Sequence, residues 1–253
     1  MRLTIKIQRI KISRNKSFFL FLFFLSINLH AQIFLPDSIS LDSGFTTLEE
    51  AYKSPNKVHS LDLSEQEVIN IDISLFPNLV ALSINESRFS KLPPSILQDK
   101  KIKFFSFTNN DSLKIFPTNI FNMNSLQELW LNGTPINQME DVILLNRKLN
   151  ILYMIGCNLN DLPNSFSNLI ALNELYLLGN NFTEIPKPIF KLNNLEILNL
   201  SGCPIKKVNP KDFKLLKKLK KLLLFDTKLN EKEIHKIVKY LPTNCEILTK
   251  EPR

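Results

Sequence analysis

Three cysteines and three histidines carry most of the reactive potential of this 253-residue chain. Cys157 lies in "MIGCNLN" (154–160) and Cys203 in "NLSGCPI" (199–205), each straight after a glycine that closes a short apolar run. Two such thiols could form a disulfide, share a metal ion, or supply one nucleophile beside a histidine. The histidines are His30, His59 and His235. There is no H-E-x-x-H, no C-x-x-C pair and no glycine-rich phosphate loop, so the choice depends on which elements hold the cysteines.

Those elements repeat. The pattern L-x-x-L-x-L, with Ile, Val, Phe or Met in some places, begins at Val58, Leu79, Ile102, Leu126, Leu149, Leu172, Leu195 and Leu219, in steps of 21, 23, 24, 23, 23, 23 and 24 residues. Positions 4 and 6 alternate with polar residues, a period of two that predicts one short strand per copy with one buried face. Several copies continue as "LPPSI" (92–96), "LPNSF" (162–166) or "IPKPI" (185–189). Proline lacks an N–H and restricts its predecessor, so this step ends the strand and turns the chain. One copy cannot bury its own apolar row, but stacked copies share a core and a parallel sheet.

The repeats resemble the leucine-rich repeat family, in the bacterial-type variant of about 23 residues with an L-P-x-x-I tail. The resemblance covers residues 58–229, eight copies. It implies an α/β solenoid: a horseshoe with a parallel sheet on the concave face, short irregular or helical convex segments and helical end caps. The first copy lacks Leu-Pro. So does the fourth, "LQELWLNGTPINQMEDVILL", whose convex side is therefore expected to be irregular or more helical. Residues 32–57 read as an N-terminal cap, where Thr47 stands three before Glu50 at capping-box spacing. Residues 230–253 read as a C-terminal cap with a helix that carries Ile234, Ile237, Val238 and Leu241 on one face, then a final strand.

The resemblance answers the cysteine question. Position 9 reads Gln66, Ser87, Asn110, Thr134, Cys157, Asn180, Cys203 and Thr227, and in this family that residue turns inward to satisfy backbone groups of the bend. Position 8 is Gly133, Gly156, Gly179 and Gly202, four of the five glycines. The cysteines are thus expected to be structural. Cys157 and Cys203 fall two strands apart, about 10 Å, beyond the roughly 7 Å that a disulfide tolerates between Cα atoms. Cys245 lies two strands past Cys203, so three free thiols are expected. His59 and His235 belong to opposite ends of the stack, which excludes a shared site. Asp62, Glu65 and Glu67 read as a solvated polar face. No catalytic residue, metal site or cofactor is expected, and the chain reads as a non-enzyme.

The net charge of +8 is largely N-terminal. Arg2, Lys6, Arg9, Lys11, Arg14 and Lys16 precede "SFFLFLFFLSINL" (17–29) and "HAQ", the form of a secretory signal peptide spanning 1–31 with cleavage after Ala31. The apolar stretch is shorter than the about 20 residues of a spanning helix. The remainder carries 26 basic and 24 acidic side chains. The expected location is therefore secreted, periplasmic or cell-surface. The processed chain is not expected to be an integral membrane protein, and nucleic acid is not expected as a partner.

Binding is then the expected function, with a protein as partner and, by the family resemblance, the concave face as the usual contact. Position 5, which points outward there, reads Asp62, Ser83, Ser106, Trp130, Tyr153, Tyr176, Asn199 and Leu223. Three consecutive aromatics, including the only Trp, predict a stripe about 5 Å per step. Ile155 and Leu178 extend it at position 7, and Phe104 and Ile151 at position 3. Apolar patches with polar rims mark interaction sites, and truncating Trp130 or Tyr153 is expected to weaken binding while changing folding little. The alternative is an envelope-associated structural or adhesive protein. It would hold an anionic surface polymer through "KKVNPKDFKLLKKLKKLLLF" (206–225), with Lys206, Lys207, Lys211, Lys214, Lys217, Lys218, Lys220 and Lys221.

Overall fold

Each copy enters its strand at the third residue. The strands are β1 (Ser60–Asp62), β2 (Ala81–Ser83), β3 (Phe104–Ser106), β4 (Glu128–Trp130), β5 (Ile151–Tyr153), β6 (Glu174–Tyr176), β7 (Ile197–Asn199) and β8 (Lys221–Leu223). A ninth, β9 (Glu246–Leu248), comes from the C-terminal segment. These come from a computed structural model that describes residues 44–249, apart from 67–70, 88–91, 99–100, 114–116, 137–138, 142–143 and 145. The expected signal peptide at 1–31, the first part of the expected N-terminal cap and Glu67 lie outside the described residues.

All nine strands pair in parallel in one sheet, in chain order from β1 to β9. The architecture is an α/β leucine-rich-repeat solenoid. Register keeps like positions opposite one another: Ser106 faces Trp130, Trp130 faces Tyr153, and Tyr153 faces Tyr176. The ladder runs past the three-residue strands, because the N–H at position 6 donates to the position 5 carbonyl of the next copy. Leu131 N reaches Tyr153 O at 2.9 Å, and Met154 N reaches Tyr176 O at 2.9 Å.

Positions 4 and 6, from Leu61 and Leu63 to Leu222 and Leu224, are buried in one continuous core. The convex side fills it with residues that return after the proline step. Ile96 lies in α2 (Pro94–Gln98), Phe166 in the 3-10 helix Asn164–Asn168, and Ile189 in the 3-10 helix Lys187–Lys191, all fully buried. The fourth copy forms no helix there among the described residues. Its bend is held by Asn146, whose amide donates to Met123 O at 2.7 Å and Leu126 O at 3.0 Å while accepting from the Lys148 and Leu149 amides.

The ends are closed by helices. In α1 (Leu48–Lys53) the Thr47 hydroxyl accepts from Glu50 N at 3.2 Å, and Phe45 bridges to Leu61 beside β1. In α3 (Glu231–Val238) Asn230 and Glu233 form a reciprocal capping box. Ile237 is fully buried, and Ile234 and Leu241 pack on the core. Val238 departs from the expected apolar face: it is 49% exposed. Two turns of helix cover the end of the stack with a narrow stripe, and Tyr240 in the following turn takes part in the packing instead.

Candidate binding face

Cys157 and Cys203 are rungs of the bend. The Cys157 thiol donates to Leu131 O at 3.2 Å and the Cys203 thiol to Leu177 O at 3.3 Å, each a position 6 carbonyl of the preceding copy. Other position 9 residues make the same bond: Asn110 to Ile84 O, Thr134 to Phe107 O and Asn180 to Met154 O. The amides of Asn110 and Asn180 also accept through Oδ1, from Ser87 N at 3.0 Å and Cys157 N at 3.1 Å. Both cysteines are fully buried, and desolvation pushes Cys157 up to about 12 and Cys203 to about 11. Such thiols are poor nucleophiles. Cys245, half-buried before β9, is raised to about 11 by desolvation and by Glu246.

The histidines are engaged locally. His59 Nδ1 lies 3.0 Å from Lys57 O and His235 Nδ1 2.7 Å from Glu231 O, the first beside β1 and the second in α3. Asp62 accepts from the Ser64 amide and hydroxyl within its own turn. Among the described residues no group of His, Cys, Asp and Glu could hold a metal ion.

The aromatic residues meet on the strand face away from the core. Phe104 and Trp130 pack edge to face at 5.1 Å between centroids, and Trp130 and Tyr153 do so at 5.3 Å. Tyr153 and Tyr176 stack at 4.3 Å with planes 4° apart. Four adjacent strands thus carry one ladder of rings, outside the continuous core. Its exposure departs from the expectation of a solvent-facing stripe. Phe104, Trp130, Ile151 and Tyr153 are buried, Trp130 and Tyr153 at 5% and 4%, whereas Ile155, Tyr176 and Leu178 are half-buried. Rings in register across strands cover one another's faces and edges. Truncating Trp130 or Tyr153 therefore also costs folding energy, since packed aromatic pairs add about 0.5–1.5 kcal/mol beyond their burial.

Two carboxylates belong to this face and were absent from the sequence-derived set. Glu128 Oε1 accepts from Trp130 Nε1 at 2.7 Å, and Glu174 Oε2 from the Tyr176 hydroxyl at 2.7 Å. Glu128 is fully buried, and its Oε2 has no hydrogen-bond partner among the described residues. Desolvation raises it to about 7, Glu174 adds to the rise, and the Trp130 N–H opposes it. Asn132, at position 7 of the same copy, is buried with Nδ2 unbonded among the described residues. The tripeptides Glu-Leu-Trp (128–130) and Glu-Leu-Tyr (174–176), two copies apart, were the available signal.

The Lys-rich segment wraps around one copy rather than forming one face. Lys206 and Lys207 follow the bend after β7, Lys211 and Lys214 lie on the 3-10 helix Pro210–Leu215, and Lys217 and Lys218 precede β8. Lys220 and Lys221 lead into and begin β8. Half of these lysines are engaged within the chain. Lys214 lies 5.0 Å over the Tyr240 ring, Lys218 donates to Asn194 at 2.7 Å, and Lys220 and Lys221 pair with Glu196 and Glu246 at 2.7 and 3.5 Å.

Stacked 23-residue copies, inward rungs at position 9 and a shared strand face define a leucine-rich repeat solenoid. Residues 170–229 match the family model described as Leucine rich repeat. A leucine-rich repeat protein of Leptospira interrogans superposes with a TM-score of 0.68 at 27% identity, over 82% of this chain and 58% of that one. The leucine-rich repeat domain of the type III effector XopL superposes at 0.61 and 19% identity, over 79% and 80%. TLR13, in its complex with ssRNA13, superposes at 0.67 and 22% identity, over 83% of this chain and 31% of that one. The chain thus spans less than two thirds of the Leptospira protein and about a third of TLR13. No curated protein matches it in sequence.

Proposed function

We propose that the protein is an exported, non-enzymatic binding module whose partner is another protein, held on the concave face around the aromatic ladder. The observation that carries this reading is the run of rings from Phe104 through Trp130 and Tyr153 to Tyr176 across four strands. The repeat core is built from positions 4 and 6 and the convex residues, and the four aromatics lie on the opposite face, outside it. Trp and Tyr are the residues that most often dominate binding energy. The half-buried group Ile155, Tyr176 and Leu178 is the part a partner reaches first. Export rests on the basic and apolar segments within residues 1–31, with processing after Ala31. No helix among the described residues is long and apolar enough to cross a membrane.

The test starts from a partner captured from envelope or culture supernatant with residues 32–253. Tyr176→Ala is expected to weaken that complex by at least ~2 kcal/mol, a hot-spot loss, beyond the about 0.5–1.5 kcal/mol of folding stability that its stack on Tyr153 contributes. A partner that binds Tyr176→Ala and Leu178→Ala like wild type is not held on this face. Salt separates the alternative: an anionic polymer on the lysines at 206–221 would dissociate steeply as ionic strength rises, and an apolar concave contact would not.

A further inference from the structure

We propose that the C-terminal end of the solenoid docks on an anionic lipid surface, through one lysine face built from α3 and the 3-10 helix Pro210–Leu215. The proposal goes beyond the concave-face reading and does not depend on it, because these are convex and cap elements. α3 packs Ile234 and Ile237 on the core. At 3.6 residues per turn, Lys232, Lys236 and Lys239 fall within about 60° of one another on the opposite side of the helix. All three are exposed. The 3-10 helix adjoins this end of the chain, since Lys214 lies 5.0 Å over the Tyr240 ring. It adds Lys211 and Lys214, both exposed.

The charge on this face has one sign. Lys232 and Lys236, four apart, and Lys236 and Lys239, three apart, are like-charge neighbours that repel across the helix surface. The ammonium groups of Lys211, Lys232, Lys236 and Lys239 meet no carboxylate among the described residues. Nearby acids are engaged within the chain: Asp212 accepts from Asn209 at 2.8 Å, and Glu233 belongs to the α3 capping box. Glu231 stands in the first turn, on the flank of the helix rather than among the lysines. A negatively charged bilayer surface attracts each such lysine and relieves the repulsion between them. Two apolar side chains favour lipid over a purely ionic polymer. Leu215 ends the 3-10 helix 51% exposed, and Val238 flanks the α3 lysines 49% exposed. The interfacial layer of a bilayer takes up apolar tips beside ammonium groups. The core holds the apolar stripe of α3, so the contact stays at the surface and is reversible.

Residues 32–253 contain every described element and lack the apolar stretch at 17–29. This chain is expected to cosediment with vesicles of equimolar phosphatidylcholine and phosphatidylglycerol, and not with phosphatidylcholine alone. The triple variant Lys232→Gln, Lys236→Gln, Lys239→Gln should lower that affinity at least tenfold while its urea unfolding stays cooperative. The triple variant Lys57→Gln, Lys103→Gln, Lys148→Gln removes the same charge from other copies and should bind like wild type. Leu215→Ser with Val238→Ser should weaken the vesicle complex and leave binding to soluble dextran sulfate unchanged. Three results overturn the proposal: no binding to the anionic vesicles, equal losses in the two triple variants, or binding to dextran sulfate without binding to vesicles.

Discussion

Glu128 binds its proton more tightly in the folded chain than out of it, and the consequence for stability has a definite sign. Its folded value of about 7 stands above the ordinary 4.5 because burial disfavours the carboxylate, with Glu174 on β6 adding repulsion. Between those values the unfolded chain has released the proton and the folded chain has kept it, so stability falls as pH rises from about 4.5 to 7. The loss is about 3 kcal/mol once both states are ionised. Glu128→Gln should therefore be more stable than wild type in urea at pH 8 and nearly equal at pH 4. Asp72, held below the usual 3.8 by the hydroxyl and backbone N–H of Ser74, and Asp141, held there by the Ser165 backbone N–H, act in a lower window. A wild-type stability that climbs from pH 5 to 8 would contradict the burial of Glu128. The thiols give a second residue-scale prediction. Cys157 and Cys203 should resist alkylation in the native protein and react after denaturation, with the half-buried Cys245 labelled first. Mass spectrometry of labelled peptides reads the order, and rapid native labelling of Cys157 would exclude it from the rung.

The bend after each strand is the element that the repeat conserves most strictly. Position 8 has positive φ in all eight copies, from Glu65 at 61°, Glu86 at 53° and Asn109 at 56° through Gly133, Gly156, Gly179 and Gly202 to Asp226 at 53°. Its N–H donates to the position 7 carbonyl of the next copy, as from Gly156 to Leu178 at 2.8 Å. The left-handed conformation costs a side-chain-bearing residue about 1 kcal/mol. Gly156→Ala should lose about that much, because a Cβ there meets nothing within 4 Å and only the backbone objects. Glu86→Gly should gain up to about 1 kcal/mol. Urea midpoints measure both, and effects of the same sign would refute the shared geometry. Four glycines at this spacing made the bend legible in the sequence. The non-glycine bends at Glu65, Glu86 and Asp226 were not, because acidic side chains carry no mark of positive φ. Asn146 was equally hidden: one asparagine in an Asn-rich chain shows its role only when four backbone partners surround it.

At the scale of the whole molecule, the sheet, its register and its caps follow from repetition. Period-two apolar residues at fixed 21–24-residue steps have one way to share a core. The positions of the aromatic residues follow from the same register. Their burial, and the carboxylates tied to them, did not follow, since a Glu on an outward strand position looks the same whether water or a tryptophan faces it. Removing α3 and β9 should expose the edge and core beside β8. Ile237→Asp is expected to destabilise the C-terminal copies first, read as early loss of hydrogen-exchange protection around residues 219–229. Uniform loss along the stack would show the copies to be more tightly coupled than nearest neighbours require.

The central claim, that the concave ladder is where a partner binds, is tested most directly by an oxidative footprint of the captured complex. Ile155, Tyr176 and Leu178 are half-buried in the free chain and become protected on binding, while the exposed convex Ile170 and Leu215 are oxidised as before. Protection confined to the convex side or to the lysines at 206–218, with Tyr176 oxidised at its free rate, would contradict the account.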